Sequence, residues 1–541
     1  MTPVMVRAMT AGLALVVVGV GSAWGQGHTP GRVRFATSCS AAAQERFETG
    51  LTLLHSVALD EAIKTFGEAA RLDPECGIAH WGAAVAWRGY PLTAVPTPAA
   101  LTEGWEAAQR AKAVGARSAR ERDYIAAIAA FFADADPTNH GARALAYARA
   151  MESLAARYPD DREAAVLHAL AVCVTQDPTD RTHANQLKAA TILERVFATE
   201  PHHPGIGHYL MHLYDVPPLA RQGVAAARRY AAAAPASPHL LHLPSHIFTR
   251  VGMWPESIDT NRAAARAAGA ALPAGASGVA SFEALHAWDY MMYGFMQLAR
   301  DGEARALVNQ VRSTRTLDIE HFAGAFALVA IPARYVLERR QWREAVALTL
   351  MPPDLAWDKF PQAESMIWFA RGLGAARGGD LGEARKSADR LAVLRDALIA
   401  GQNGYWAEQS EIQRLVVAAW IAHGEGQTAE ALVVMRQAAE RESAAGKHPV
   451  TPGPLFPARE MLGELLLAAG RPAEALAEFE QSNTVEPNRF LGLYGAARAA
   501  AGAGQPQTAR RYYAQLVELA KSGDGPRPEI AEARAFLAQG Q

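Results

Sequence analysis

Small and large apolar residues recur along the chain at fixed offsets. A small residue is followed by a larger apolar one at +3, Ala at +12, an aromatic at +16, a small residue at +19 and Pro at +24. The best matches are Gly50, Leu53, Ala62, Phe66, Ala69 and Pro74, and later Gly463, Leu466, Ala475, Phe479, Ser482 and Pro487. Weaker copies begin at Gly372 and Ala419. This spacing, in an alanine-rich chain without alternating β-branched runs, predicts an all-α fold.

The pattern resembles the tetratricopeptide repeat, a unit of about 34 residues that folds as two antiparallel helices. The small residues let the two helices approach closely, the aromatic fills the gap to the next hairpin, and the proline ends the second helix. One hairpin cannot bury its apolar face alone, so stacked hairpins supply the core. The resemblance implies one continuous α-solenoid, a right-handed superhelix whose first helices line a concave groove.

The repeat varies in quality, and long Pro/Gly/Ala connections interrupt it after residues 89 and 271. We therefore expect one array with an irregular first third rather than separable domains. The expected segments are N-terminal hairpins at 39–99, irregular helical repeats at 100–200, histidine-rich hairpins at 201–300, C-terminal repeats at 301–522, and a capping helix or tail at 523–541.

Residues 1–25 have the three-part layout of a secretory signal peptide. A basic start precedes the short apolar run 11–21, and small residues at Ala23 and Gly25 predict cleavage after Gly25. The apolar run is too short to anchor the chain in a membrane. We expect an exported protein, periplasmic or secreted, with a flexible segment at 26–38 and no membrane anchor after signal removal.

The cysteines and the charge refine this picture. An oxidising compartment favours a disulfide between Cys39 and Cys76, which leaves Cys173 as a buried thiol in an apolar helix. The chain has 53 Lys and Arg against 55 Asp and Glu, without a dense basic block. Nucleic-acid binding requires a basic footprint, so we exclude that function and expect a protein or peptide partner.

Seven of the 17 histidines fall between residues 202 and 246. Aligned with the repeat, His208 and His212 occupy offsets −3 and +1 of one first helix, and His242 and His246 occupy the same offsets 34 residues later. These offsets lie opposite the small residues, so two neighbouring first helices direct four histidines into the groove. Further candidate groove residues are Asp215 at +4, His239 at −6, and His286 and Asp289 on the next first helix.

Histidines at i and i+4 can present two imidazoles to one metal ion, and a nearby carboxylate can bind the ion or orient a ring. His208, His212, His242 and His246 are therefore candidate metal ligands, with Asp215 as a ligand or ring orienter. Zinc and copper both suit imidazole. Neither pair contains the glutamate of the HExxH zinc-protease motif. The alternative is a set of groove-lining polar residues satisfied by one another, by tyrosines or by water.

Three functions stay open at this point. The first is an exported scaffold that binds a protein or peptide in its groove and carries a His/Asp-lined site for a metal ion. The second is a metal-dependent hydrolase or oxidoreductase that uses the histidines, although no nucleophile is indicated. The third is a plain protein–protein interaction module without metal, whose histidines confer pH sensitivity at about pH 6 to 7.

Other histidines have more ordinary interpretations. His55 ends the first helix and is interpreted as a surface or inter-repeat residue. His202 and His203 are interpreted as part of a helix entry before Pro204. The Pro-rich segment 446–460 is interpreted as a rigid loop between hairpins that could also fold over the groove.

Several strings are more specific than the generic repeat: HPGIGHYLMHLYD, SPHLLHLPSHIFTRVGMW, CGIAHWG and TPGPLFPARE. They resemble a functionally uncharacterised group of exported bacterial tetratricopeptide proteins. The resemblance covers most of the mature chain and implies the same scaffold fold. Members of the wider repeat family with peptide ligands often use basic or amide residues at these groove offsets, where this chain has histidines.

Overall fold

The computed structural model of the chain describes residues 31–539, apart from 90, 91, 93, 94, 135, 137, 138, 177–179, 181, 234–236 and 274. The predicted signal peptide, residues 1–25, lies outside the described residues, as do residues 26–30 of the predicted flexible segment. Residues 31–37 form no helix or strand, and they bury Val33 and Phe35. The Phe35 ring lies 5.2 Å from that of Phe47.

Helices make up nearly all the regular structure in the described residues. The first half contains α1 (Ala41–His55), α2 (Leu59–Leu72), α3 (Gly77–Trp87), α4 (Pro98–Val114), α5 (Ala119–Phe131), α6 (His140–Arg157), α7 (Arg162–Val174), α8 (Ala184–Thr199), α9 (Ile206–Tyr214), α10 (Ala220–Ala233), α11 (Pro238–His242), α12 (Pro244–Arg250) and α13 (Trp254–Ala270).

The second half continues the helical array. It contains α14 (Phe282–Gln297), α15 (Asp301–Arg312), α16 (Phe322–Glu338), α17 (Trp342–Val346), α18 (Pro361–Gly378), α19 (Leu381–Ala400), α20 (Gly404–Gly424), α21 (Thr428–Ala445), α22 (Ala458–Ala468), α23 (Pro472–Val485), α24 (Phe490–Gly502), α25 (Pro506–Leu519) and α26 (Pro528–Ala538). A short parallel pair, β1 (Val279–Ala280) and β2 (Thr316–Leu317), and a 3-10 turn (Trp357–Lys359) complete it.

Local signals explain where many helices begin. Ser40, Ser118 and Asp161 each accept a hydrogen bond from the backbone N–H three residues on, at the starts of α1, α5 and α7. Proline occupies the first turn of α23, α25 and α26. Its fixed φ suits that position, where the missing N–H removes no helical hydrogen bond.

Successive helices pack against each other as the repeat pattern requires. The Phe66 ring of α2 lies beside Gly50 of α1 and Gly82 of α3, where an added Cβ would overlap the ring. Phe479 of α23 takes the same place between Gly463 of α22 and Gly495 of α24. The aromatic at +16 therefore joins three consecutive helices, and the predicted all-α solenoid is confirmed.

The array curves until its last hairpins contact its middle. The first helices of six successive hairpins are α14, α16, α18, α20, α22 and α24, and α24 lies against α14. Trp254 Nε1 donates to the Asn488 carbonyl (2.8 Å). Arg489 donates to Glu338 (2.7 Å) and to the Tyr293 hydroxyl (2.7 Å), and all three side chains are buried. This polar network closes the second half of the solenoid on itself.

The cysteines take two different states. Cys39, just before α1, and Cys76, just before α3, are joined by a disulfide. Cys173 is a free thiol in α7, and burial raises its pKa to about 12. A thiol with so high a pKa stays protonated and unreactive near neutral pH.

Within the described part of the chain, no helix combines the length and the apolar composition needed to cross a bilayer. The predicted division of the array into segments stays a prediction.

Candidate metal centre

Six of the predicted histidines come together where four helices meet: His208 and His212 of α9, His239 and His242 of α11, His246 of α12, and His286 of α14. α11 and α12 meet at Leu243, whose backbone is helical, so His242 and His246 keep their i, i+4 relation across the junction. The break between the helices arises because Pro244 has no N–H to continue the hydrogen bonding of α11.

The central pair, His242 and His246, has its outer ring nitrogens fixed by hydrogen-bond acceptors. His242 Nδ1 lies 2.6 Å from Asn261 Oδ1, and the Asn261 amide is oriented because its Nδ2 donates to the Ser257 carbonyl (2.7 Å). His246 Nδ1 lies 3.0 Å from Asp215 Oδ2. Both Nδ1 atoms therefore carry the proton and donate it, which leaves a lone pair on both Nε2 atoms.

These two Nε2 atoms face each other at 2.9 Å. Two lone pairs at this separation repel, so the contact needs a positive charge between them. Burial lowers the pKa of both His242 and His246, which disfavours a proton there. A metal ion at about 2.0–2.1 Å from each nitrogen would hold the nitrogens about 2.9 Å apart at a right angle and about 3.3 Å apart at a tetrahedral angle. The pair thus has the spacing of two ligands of one ion.

His286 supplies a third imidazole from α14. Its ring centroid lies 4.3 Å from that of His242, and ligand nitrogens of His242, His246 and His286 all lie within 4.8 Å of one another. Tyr290, one turn further along α14, packs edge-on against His242 at 4.6 Å and places its hydroxyl 3.4 Å from His246 Nδ1. Three protein ligands are the number found in zinc sites that keep one coordination position open.

His208 and His212 form a second pair with the same spacing along α9. Their Nε2 atoms lie 3.1 Å apart. The His239 ring lies 5.2 Å from that of His208, and the His212 ring lies 5.8 Å from that of His246. The two pairs and their neighbours therefore form one continuous group, which we call the histidine cluster (His208, His212, His239, His242, His246 and His286).

Asp289, which the sequence places near His286, makes its contact elsewhere. Its Oδ1 lies 3.9 Å from Arg334 Nε of α16, and both side chains are buried. Burial raises the pKa of Asp289 to about 6. Positions three apart on a helix are offset by about 60° around its axis, and here that offset turns Asp289 towards α16.

Burial keeps the imidazoles of the histidine cluster neutral. It lowers the pKa of His212 to about 3 and that of His239 to about 4. It also lowers the pKa of His208, His242 and His286 well below the ordinary value. Neutral imidazole is the form that binds a metal ion, so these rings need lose no proton to do so near neutral pH.

Asp215 links the histidine cluster to two cations. Its Oδ2 accepts from Lys447 Nζ (3.0 Å) as well as from His246, and its Oδ1 accepts from Arg250 Nε (3.2 Å). Burial alone would raise the pKa of Asp215, but Lys447 and Arg250 outweigh burial and hold that pKa well below its usual range. Asp215 therefore orients the His246 ring, and Lys447 and Arg250 already balance the negative charge of the Asp215 carboxylate.

Residues 446–457, which we call the cover segment, close over the histidine cluster from the C-terminal half. The Val450 carbonyl accepts from the Tyr290 hydroxyl (3.2 Å). Arg334 donates to the Pro454 carbonyl (2.7 Å), which fixes the middle of the cover segment against α16. The sequence allowed this Pro-rich segment to be a rigid loop between hairpins that also folds over the groove. In the structure it folds over the histidine cluster.

The histidine cluster is covered rather than open, although His212, His239 and His286 are only partly buried. His208, His242 and His246 are 0, 2 and 5 % exposed. Repeat offsets indicate which side of a helix faces inwards, but the residues that cover that side come from a distant part of the chain. Lys447, for example, lies 232 positions after Asp215.

A second buried cluster joins His55, Glu163 and His203. The Nε2 atoms of His55 and His203 lie 2.8 and 2.9 Å from the two carboxylate oxygens of Glu163. At the other side of each ring, His55 Nδ1 lies 2.9 Å from the Tyr209 hydroxyl, and His203 Nδ1 accepts from the Gly205 N–H (3.2 Å). Each imidazole therefore donates from Nε2 to the carboxylate and accepts at Nδ1.

This second cluster resembles a metal site only in its distances. Its three ligand atoms also lie within 4.8 Å of one another, yet each of them is already paired with a complementary hydrogen-bonding group. We interpret it as a structural link between repeats, so the inter-repeat interpretation of His55 is confirmed. Sequence reasoning missed the cluster because Glu163 is 108 residues from His55 and 40 from His203.

Comparisons with known proteins add little to this geometry. No protein-family model matches the chain, and no curated protein matches it. Among solved structures, the chain is similar to a tetratricopeptide repeat protein from Parabacteroides merdae. The two share 13 % sequence identity with a TM-score of 0.29, over 56 % of this chain and 98 % of that one.

Proposed function

We propose that this protein is a helical-repeat scaffold that binds a transition-metal ion, zinc or copper, through His242, His246 and His286. The observation that supports it most is the 2.9 Å contact between the Nε2 atoms of His242 and His246, whose protons are held on Nδ1. Asn261 and Asp215 orient these rings as the outer partners of metal-bound histidines do. A metal ion would resolve the repulsion that the two lone pairs otherwise leave.

The scaffold part of the proposal rests on the fold. Stacked helical hairpins offer extended surfaces that suit a protein or peptide partner. Because the cover segment encloses the histidine cluster, we place the partner on another part of the array. Export to an oxidising compartment is proposed from residues 1–25, and the Cys39–Cys76 disulfide fits that location.

Metal content tests the proposal directly. Full-length protein is produced without a histidine tag, stripped with a chelator, reloaded with Zn²⁺ or with Cu⁺ under reducing conditions that spare the disulfide, and analysed by mass spectrometry for bound metal. We expect at least one equivalent per chain. The double variant His242→Gln/His246→Gln should lose one equivalent, because it removes two of three ligands.

The matched control is the double variant His55→Gln/His203→Gln, which also replaces two buried histidines. It should keep the wild-type metal content, because those rings already have hydrogen-bond partners. Far-ultraviolet circular dichroism checks that both variants are folded. Wild-type protein that retains essentially no metal after reloading would overturn the proposal, as would equal loss from both variants.

A further inference from the structure

His286 differs from the other two proposed ligands in how its ring is oriented. The rings of His242 and His246 each donate from Nδ1 to a hydrogen-bond acceptor. In the part of the chain that the structure describes, the His286 ring makes no hydrogen bond. Its ring contacts are with His242, at 4.3 Å between centroids, and with Tyr290, at 5.4 Å. Packing therefore has to orient the His286 imidazole.

The Tyr290 ring contacts all three of these imidazoles. Its centroid lies 4.6, 5.2 and 5.4 Å from those of His242, His246 and His286, respectively. Tyr290 is 1 % exposed, and it follows His286 by four positions on α14, so the two side chains share one face of that helix. One buried ring on α14 therefore touches ligands that three different helices supply.

The ligands on α11 and α12 need such a contact because the helices that carry them are short. α11 has five residues and α12 has seven, and Pro244 interrupts the helical hydrogen bonding between them. Helices of this length have little stability of their own, so neighbouring side chains hold them in place. Tyr290 packs against both sides of the junction, at His242 before it and at His246 after it.

The Tyr290 hydroxyl also has a fixed partner. Burial raises the pKa of Tyr290 well above its ordinary value, so the phenol keeps its proton and donates to the Val450 carbonyl of the cover segment (3.2 Å). The same hydroxyl lies 3.4 Å from His246 Nδ1, the ring nitrogen that carries the proton, and not beside Nε2. The hydroxyl therefore links His246 to the cover segment and is not placed to bind the ion.

From these contacts we infer that Tyr290 is a positioning residue of the proposed metal site. Its ring holds His242, His246 and His286 in the arrangement that binds one ion, and its hydroxyl ties that arrangement to the cover segment. The inference rests on the proposed metal-binding function and adds a residue that acts through the ligands. Without the ring, the three imidazoles move more freely in the metal-free protein, and metal binding has to order them, which lowers affinity.

Two variants separate the ring of Tyr290 from its hydroxyl. Tyr290→Phe keeps the ring and should bind Zn²⁺ with nearly wild-type affinity. Tyr290→Leu removes the ring and should bind Zn²⁺ about 10-fold or more weakly, as when outer partners of metal-bound histidines are replaced. Competition with a chelator of known affinity, on full-length protein without a histidine tag, measures both affinities.

The absorption spectrum of bound Co²⁺ shows whether the arrangement of the ligands changes, because it depends on the coordination geometry of the ion. Tyr290→Phe should reproduce the wild-type spectrum, and Tyr290→Leu should alter it. A residue that only stabilised the fold would lower the urea midpoint when replaced and leave the spectrum of the bound ion unchanged.

Tyr124→Leu is the matched control. Tyr124 is also fully buried, and its ring also packs against other rings, those of Phe35 at 5.2 Å and Trp81 at 5.1 Å. Its replacement should lower stability, while Zn²⁺ affinity and the Co²⁺ spectrum stay as in the wild type. If Tyr290→Leu does not fold, Tyr290→Met takes its place with the same expected results, because the flexible Met side chain fills more of the space.

Amide hydrogen exchange, followed by mass spectrometry, tests the role of the hydroxyl. Tyr290→Phe leaves the Val450 carbonyl without this donor, so residues 446–457 should exchange faster than in the wild type. Exchange of this segment at the wild-type rate would overturn the link between the hydroxyl and the cover segment.

The outcomes distinguish this inference from the proposed function. A wild type that binds none of Zn²⁺, Co²⁺ and Cu⁺ overturns both, and a wild type that binds only Cu⁺ moves the same affinity comparison to that ion. A wild type that binds metal, with a folded Tyr290→Leu variant of unchanged affinity and spectrum, overturns only the role of Tyr290. Equal losses of affinity in Tyr290→Phe and Tyr290→Leu would contradict positioning by the ring.

Discussion

Asn261 holds the proton of His242 on the ring nitrogen that faces away from the proposed metal ion. Its side chain is fully buried, and its Oδ1 accepts from His242 Nδ1 at 2.6 Å. In Asn261→Ala that acceptor is lost, so the proton can move to Nε2 and be donated to His246 Nε2 across 2.9 Å. The metal-free pair then becomes an ordinary hydrogen bond, and a metal ion must displace a proton to bind.

The expected loss of metal affinity follows from the hydrogen bond removed. When the metal is bound, the Nδ1 proton of His242 loses its main buried acceptor, which costs about 1–3 kcal/mol. That corresponds to roughly a 5- to 150-fold weaker metal affinity. Replacing the outer partners of metal-bound histidines typically weakens metal affinity by about 10- to 100-fold, which is a similar range. Ser245 Oγ, 3.3 Å from the same nitrogen, can replace part of the lost bond and favours the lower end.

Competition with a chelator of known affinity measures this loss at pH 7.5, and urea denaturation of the metal-free protein measures stability in parallel. Asn185→Ala is the matched control. Asn185 donates to the Val172 carbonyl (3.1 Å) and to Thr175 Oγ1 (3.2 Å) rather than to a histidine, so its replacement should lower stability without changing metal affinity. Unchanged metal affinity in Asn261→Ala, in protein that is folded, would refute the assignment of the proton to Nδ1.

Three further predictions concern stability. Folding lowers the pKa of His212 to about 3 and that of His239 to about 4. The stability that these neutral rings contribute is therefore fully present above the unfolded pKa of about 6.5 and is lost as the pH falls below it. At pH 5, His239 alone should lower the free energy of unfolding of the metal-free protein by about 2 kcal/mol, measured as a lower urea midpoint. Glu163→Gln should cost about 1–3 kcal/mol, because the amide can accept from only one of the two imidazole donors, and metal affinity measured in the same samples should not change. Reduction of Cys39–Cys76, separated by 37 residues, should cost about 4 kcal/mol by the chain-entropy relation, and a thermal melt unchanged by reductant would contradict it.

Local packing could be predicted from the sequence because it depends on residues within one or two hairpins. Phe66 and Phe479 stand at the +16 position, and each contacts glycines of the helices before and after it. The 34-residue offset likewise relates His208 and His212 to His242 and His246. These relations follow from helical periodicity, which one sequence displays directly.

Features that join distant repeats could not be predicted in this way. The contact of Trp254 with Asn488 depends on curvature summed over many hairpins, and the sequence pattern specifies only one hairpin at a time. The enclosure of the histidines by the cover segment depends on the same curvature. So does the position of Arg334, which draws Asp289 away from the histidines.

Anomalous X-ray diffraction tests the central claim most directly. Crystals of the full-length protein, loaded with copper(I) or Zn²⁺, are measured on both sides of the absorption edge of the metal. We predict an anomalous peak at bonding distance from both His242 Nε2 and His246 Nε2, with Asn261 and Asp215 still accepting from the Nδ1 atoms. Loaded crystals without a peak there, in which the two nitrogens still lie at hydrogen-bond distance, would contradict it.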